Sequence, residues 1–157
     1  MNTRRFLPAS ILQRHRDFGR VVDAIVDYDE PLRDGVVAAA LYQHYVAYTV
    51  RESLASSPDL QAALRDLAAR LRVSPGWLQR KLHGQASASL DEMAEWLIEL
   101  DLPAPSFELA VDAAVKASPF DRNVVVVSAA DLSLEELGRV QAEQLEMIAR
   151  LKTEVGK

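Results

Sequence analysis

The run Asp66-Leu67-Ala68-Ala69-Arg70-Leu71-Arg72-Val73-Ser74-Pro75-Gly76-Trp77-Leu78-Gln79-Arg80-Lys81-Leu82-His83-Gly84 carries two short helical patterns separated by a break of a few residues. Upstream, Leu60, Leu64, Leu67, Ala68 and Leu71 fall on one face of a helix over 60–72. Val73-Ser74-Pro75-Gly76 interrupts it. Ser74 is a helix cap and Pro75 suits a first turn, so a second helix is expected over 74–83. That helix carries Trp77, Leu78 and Leu82 and stops at Gly84, which takes the left-handed closing conformation easily.

Three or four linking residues are too few for ordinary antiparallel packing and force a steep crossing, the geometry of a helix-turn-helix. Ala68 is the small residue at the crossing, and Val73 plugs the turn. Leu67, Leu71, Leu78 and Leu82 complete an inner wedge, which leaves Gln79, Arg80, Lys81 and His83 facing outward.

Charge points to the same place. The chain has 157 residues and a net charge of −5. Residues 60–88 nevertheless hold Arg65, Arg70, Arg72, Arg80 and Lys81 against Asp66 alone, a balance of +4, while residues 89–157 balance at −8. A cationic island in an acidic protein either contacts phosphates in one defined orientation or is a solvated helix face.

Outward from this centre, residues 9–28 place Ile11, Leu12, Phe18, Val21, Val22, Ile25 and Val26 at amphipathic spacing, which predicts a helix ended by Asp29-Glu30-Pro31. A second helix, apolar almost all round, is expected from Leu32 or Val36 to Leu54, with Tyr42, Tyr45 and Tyr48 read as core. Ser56-Ser57-Pro58-Asp59 reads as a loop and helix start, with serine as the cap and proline at the first helical position. Ser89-Leu90-Asp91-Glu92 is a capping box opening a helix that Pro103 ends. Residues 106–117 fit both alternations, and helix is favoured. Val124–Val127 is a strand signal with no evident partner in its own chain. Ser133-Leu134-Glu135-Glu136 opens a terminal helix to about residue 154, with Leu134, Leu137, Gln141, Leu145, Ile148, Leu151 and Val155 on one stripe. The division expected is an N-terminal helical extension (1–30), a helix-turn-helix domain (31–118) and a strand-plus-helix dimerisation segment (119–157). The fold class is mainly α.

The run 66–84 resembles the lambda-repressor-like (Cro/XRE-type) helix-turn-helix regulators, with the leucine-alanine pair, the Val-Ser turn, the aromatic-then-leucine step and the terminal glycine in register. The resemblance spans 34–117 and is specific over 64–102. It departs at Arg72, where the family usually has glycine; a positive φ there costs about 1 kcal/mol.

The resemblance implies that Pro75, Gly76, Gln79 and Arg80 face the major groove, at the helix end capped by Ser74. Glutamine can bridge adenine and arginine guanine, each worth about 1–3 kcal/mol of discrimination. Pro75 and Gly76 lack reading groups and let the helix end approach the backbone. Arg65, Lys81, His83 and Gln85 are implied phosphate contacts, and Arg72 another. Arg4 and Arg5 are either a minor-groove arm or a start with no role.

The expected function is therefore a homodimeric, sequence-specific binder of double-stranded DNA that regulates transcription as a repressor in the cytoplasm, at the nucleoid. Pairing of the valine strands and terminal helices of two chains would supply the dimer, the alternative being that both fold back onto their own core. The alternative is a protein-interaction module, antitoxin-like or phage-derived, with a degenerate motif.

Enzymatic activity is not expected: there is no nucleophile elbow, phosphate-binding glycine loop or metal cluster, and Asp91, Glu92, Glu95 and Glu99 read as a solvated face. No cofactor or metal is expected either, because cysteine is absent and His15, His44 and His83 lie far apart. No apolar run approaches the ~20 residues that span a bilayer.

Overall fold

The structure, a computed structural model, describes residues 6–21, 23–28, 32–117, 125–128, 145–150 and 152. It is mainly helical: α1 (Asp34–Ala55), α2 (Leu60–Arg70), α3 (Pro75–Leu82), α4 (Leu90–Glu99) and α5 (Phe107–Lys116), with strands β1 (Asp23–Val26) and β2 (Val125–Ser128). No helix among the described residues is long and apolar enough to cross a membrane.

The centre is α1. Every residue from Ala40 to Ala47 is buried, the polar Gln43 and His44 included, and α2, α3, α4 and α5 all pack on this helix. Tyr42 and Tyr45 are core residues; the Tyr42 ring meets Phe107 of α5 edge-on at 5.4 Å. Gln43 is buried and bonded: its amide nitrogen donates to the carbonyls of Lys81 and Ala86 at 2.7 and 2.9 Å, and its oxygen accepts from the Ala88 N–H at 2.9 Å. The loop between α3 and α4 is thereby fastened to the core without a buried unpaired amide.

Residues 9–28 do not form the expected helix. They fold as two 3₁₀ turns, Pro8–Ile11 and His15–Asp17, followed by β1. The reason lies partly in Gly19, held at φ +66; a Cβ there would stand 2.7 Å from the Leu82 carbonyl oxygen and 2.8 Å from Ala47 Cβ. The chain must pass so close to α1 and α3 at this point that a continuous helix has no room. Ala24 and Val26 then turn inward while Ile25 faces out, a period of two that suits these residues better than 3.6. Ala9, Ile11, Leu12 and Phe18 join the same core as α1–α5, so the N-terminal segment is built into the helical unit rather than appended to it.

The valine strand also finds a partner within the chain. β2 pairs antiparallel with β1, Ala24 opposite Val127 and Val26 opposite Val125, so the expected pairing of this strand with its copy in a second chain is not needed to satisfy it. On its other side β1 bonds to residues 11–13, the Gln13 N–H donating to the Ile25 carbonyl and the Asp27 N–H to the Ile11 carbonyl. Residues 145–150 are helical and exposed throughout; the start of the expected terminal helix, with its capping box at 133–136, lies outside the described residues.

Candidate nucleic-acid interface

α2 begins at Leu60 as expected, but on a different cap. Its cap is Asp59, whose carboxylate accepts from the Ala62 N–H at 3.1 Å, not a serine of the preceding pair. Aspartate directly before Leu60 is an equally good cap and lies in register with the apolar face, which decides the competition. Leu64, Leu67 and Ala68 of α2 are buried against Leu78 and Leu82 of α3, with Ala68 fully enclosed.

The turn closes on Arg72. The Val73 N–H donates to the Ala68 carbonyl at 3.0 Å and the Arg72 N–H to the Ala69 carbonyl at 3.1 Å, while Arg72 sits at φ 58. This is the αL closing motif in which glycine is the usual occupant. The same closure recurs after α3 at Gly84 (φ 68) and after α4 at Asp101 (φ 51). Gly84 is required twice over, because a Cβ would fall 2.7 Å from Phe18 Cγ and 2.8 Å from the Ala9 nitrogen. α3 starts on Ser74, whose hydroxyl accepts from the Trp77 N–H at 3.2 Å, with Pro75 in the first turn.

Pro75, Gly76 and Arg80 of α3 are exposed, together with Arg65, Arg72 and Gln85 around it. A Cβ added at Gly76 would meet nothing within 4 Å, so the N-terminal end of α3 is open to close approach. Gln79 is half-buried, and its amide nitrogen donates to Gln61 Oε1 at 3.1 Å. Nothing along the chain singles out Gln61, eighteen positions away; only the crossing of α2 and α3 brings the two amides together. Arg80 borders a shallow cleft with Trp77, Lys81, Ala86 and Ser87.

Two expected phosphate contacts are otherwise engaged. Lys81 does not face outward: its ammonium donates to both oxygens of Glu92 at 2.6 and 2.7 Å and lies 4.0 Å from the Trp77 ring centroid, with 12 % of the side chain exposed. Burial pushes the Glu92 carboxyl up, but hydrogen bonds from Lys81 and Ser89 and the Lys81 charge outweigh it and hold it below the usual carboxylate range. Glu92 thus serves both the capping box of α4 and the pair with α3.

His83 is half-buried and meets Arg20, with Nη2 3.1 Å from Nε2. Burial, then the charges of Arg51 and Arg20, lower its pKa to about 4, so at neutral pH it offers no charge of its own to a phosphate. Arg70 lies against Asp66 and Glu99 at 3.4 and 3.8 Å. Of the five bases in the island, Arg65, Arg72 and Arg80 form no ion pair among the described residues. Arg4 and Arg5 lie outside those residues.

Among the described residues no group of three or more His, Asp or Glu side chains is placed to hold a metal ion. No family model, curated protein or solved structure matches this chain.

Proposed function

We propose that this chain is a homodimeric, sequence-specific binder of duplex DNA that represses transcription, with α2 and α3 in a lambda-repressor-like (Cro/XRE-type) arrangement. The observation that carries the reading is the surface of α3. Its apolar side is locked to α2 by a tight αL turn, and its opposite side presents Gly76, Gln79 and Arg80 between Arg65 and Arg72, which form no ion pair among the described residues. An eight-residue helix held this way is narrow enough for a major groove about 12 Å wide. Gln79, steadied by Gln61, has the donor-acceptor pair that matches adenine, and Arg80 the fork that matches guanine. Arg65, Arg72 and Gln85 stand where phosphates would pass, and the open N-terminal end of α3 admits one more.

With β2 paired inside the chain, the dimer rests on helices. Phe107, Val111 and Val115 form an exposed stripe on α5 at positions i, i+4 and i+8, and Leu145 and Ile148 are exposed on the C-terminal helical segment. Two α3 helices related by a two-fold axis would read half-sites about one helical turn apart. Such a role places the chain at the nucleoid, in the cytoplasm.

Selection of bound duplexes from a random pool tests the reading, with a palindromic consensus as the expected result. Arg80→Ala should weaken the selected duplex about 5- to 150-fold and relax the preference at one guanine, from the 1–3 kcal/mol of a bidentate contact. Absence of any shift by the intact chain at low salt would sink it. That result would favour the second reading, a protein-interaction module working through the apolar stripe of α5.

A further inference from the structure

Beyond α3, three basic side chains from distant parts of the sequence converge. The turn at Gly19 lies against Ala47 of α1 and the Leu82 carbonyl at the end of α3, and this carries Arg20 to His83. Arg51 stands one turn beyond Ala47 on α1 and is half-buried. Burial, and next the charge of Arg20, make the Arg51 guanidinium easier to deprotonate than usual, and both arginines depress His83. Among the described residues no carboxylate forms an ion pair with Arg20 or Arg51. An exposed guanidinium and a half-buried one drawn together, with no ion-paired carboxylate among the described residues, are an unfavourable arrangement that an anion would complete.

The imidazole fits such a site as well. Because arginine always donates, Nε2 of His83 accepts from Arg20, and the ring proton of the neutral form sits on Nδ1, a further donor. His83 also follows Gln79 by four residues, so the cluster continues the Gln61–Gln79 side of α3 past its end.

We propose that Arg20, Arg51 and His83 form a site for a phosphate group. Its source is either a phosphodiester of duplex DNA flanking the base pairs met by α3, an assignment that rests on the DNA-binding reading, or a small phosphate ester, which does not. Planar guanidinium forks suit phosphate oxygens, and a neutral imidazole adds a donor without a third charge.

The test is a titration of the full chain with inorganic phosphate, against chloride at equal ionic strength, followed by NMR of arginine Nε–H groups, the His83 ring and backbone amides. Saturable shifts at Gly19, Arg20, Arg51, His83 and Gly84 are expected. They should weaken about tenfold or more in Arg20→Gln and Arg51→Gln, the range for losing a hydrogen bond to a charged group, and persist in Arg33→Gln. Retained amide spectra in the variants exclude unfolding as the cause.

A parallel arm measures duplex affinity against salt. If the phosphodiester is the source, the slope of log K against log salt should shrink by roughly 0.9 for each arginine removed. Phosphate binding with no duplex binding keeps the site, assigns it to a small ester and removes the DNA reading. Duplex binding with an unchanged slope and no phosphate shifts overturns the site and leaves the DNA reading standing. Phosphate shifts that survive both arginine substitutions overturn it too.

Discussion

Arg72 is the one position in the turn where stability and the proposed function pull in opposite directions. Its φ of 58 places an arginine in the left-handed region, which costs an L-residue roughly 1–2 kcal/mol. Glycine removes that cost but adds backbone freedom to the unfolded chain, worth roughly 0.5–1 kcal/mol. The side chain is exposed and forms no ion pair among the described residues, so little else is lost. Arg72→Gly should therefore stabilise the fold by about 0.5–1 kcal/mol, a rise in Tm of about 1–4 °C for a chain of this size.

Two neighbours calibrate the argument. Asp101 has the same backbone conformation after α4, and Asp101→Gly should gain less, because aspartate tolerates the left-handed region better. Gly84→Ala should lose about 2–4 kcal/mol, from the same φ preference plus contact with Phe18 and the Ala9 nitrogen. Urea unfolding of the three variants reads all of this. Duplex affinity across salt then reads the other half: if Arg72 meets a phosphate, Arg72→Gly lowers the slope by about 0.9 while the protein becomes more stable, and Asp101→Gly leaves the slope alone. A less stable Arg72→Gly chain would refute the strain argument. A stabilised one with the slope unchanged would remove Arg72 from the interface.

Three further outcomes follow from the packing. His44 is buried, takes the Gly19 N–H on Nδ1 at 2.8 Å and has its pKa lowered by burial to about 4. Below pH 6.5 the unfolded chain gains a proton that the folded chain refuses. Stability present above 6.5 is thus lost as pH falls toward 4, with His44 contributing up to about 3 kcal/mol. Urea unfolding of His44→Gln should show a flatter fall between pH 7 and 4.5, and an equal fall in both chains would count against it. Lys81→Met should cost roughly 1–2 kcal/mol by leaving the Glu92 carboxylate short of its partner. The salt slope of duplex binding should not change, and a lower slope would return Lys81 to the list of phosphate contacts. Val111→Asp on the α5 stripe should shift the chain toward monomer in sedimentation with little loss of Tm, since Val111 is exposed; an undisturbed dimer would place the interface elsewhere.

Much of the helical unit was legible because its signals are local. Ser74 and Ser89 cap where a hydroxyl precedes an apolar helical face, Gly84 stops a helix, and leucines at three- and four-residue spacing bury one side. Residues 9–28 misled because Ile11, Leu12, Phe18 and Val26 fit a helical stripe and a turn-plus-strand equally well. What decides between them is the close approach of Gly19 to α1 and α3, a contact between residues 28 and 63 positions apart. Lys81 misled for a related reason. Its place on α3 suggests solvent, but the loop to α4, held down by Gln43, returns the chain so that Glu92 both caps its own helix and pairs with Lys81.

The cationic surface is consequently an assembled feature. Taken along the chain, residues 60–88 own the positive charge; in three dimensions Glu99 and Asp66 take Arg70, Glu92 takes Lys81, and the N-terminal turn and α1 bring in Arg20 and Arg51. Arg20 therefore joins the arginines near α3 that form no ion pair among the described residues only because the N-terminal segment packs there. Gly19, Phe18 and Gly84 hold that dock: the Ala9 N–H donates to the Gly84 carbonyl at 3.0 Å, and Phe18 packs edge-on against His44. A substitution such as Gly19→Val, forced against the Leu82 carbonyl, would displace Arg20 without changing any residue of α3. Residues 6–21 thus bear on the proposed phosphate site by position, although none of them lies in the motif that first drew attention to this surface.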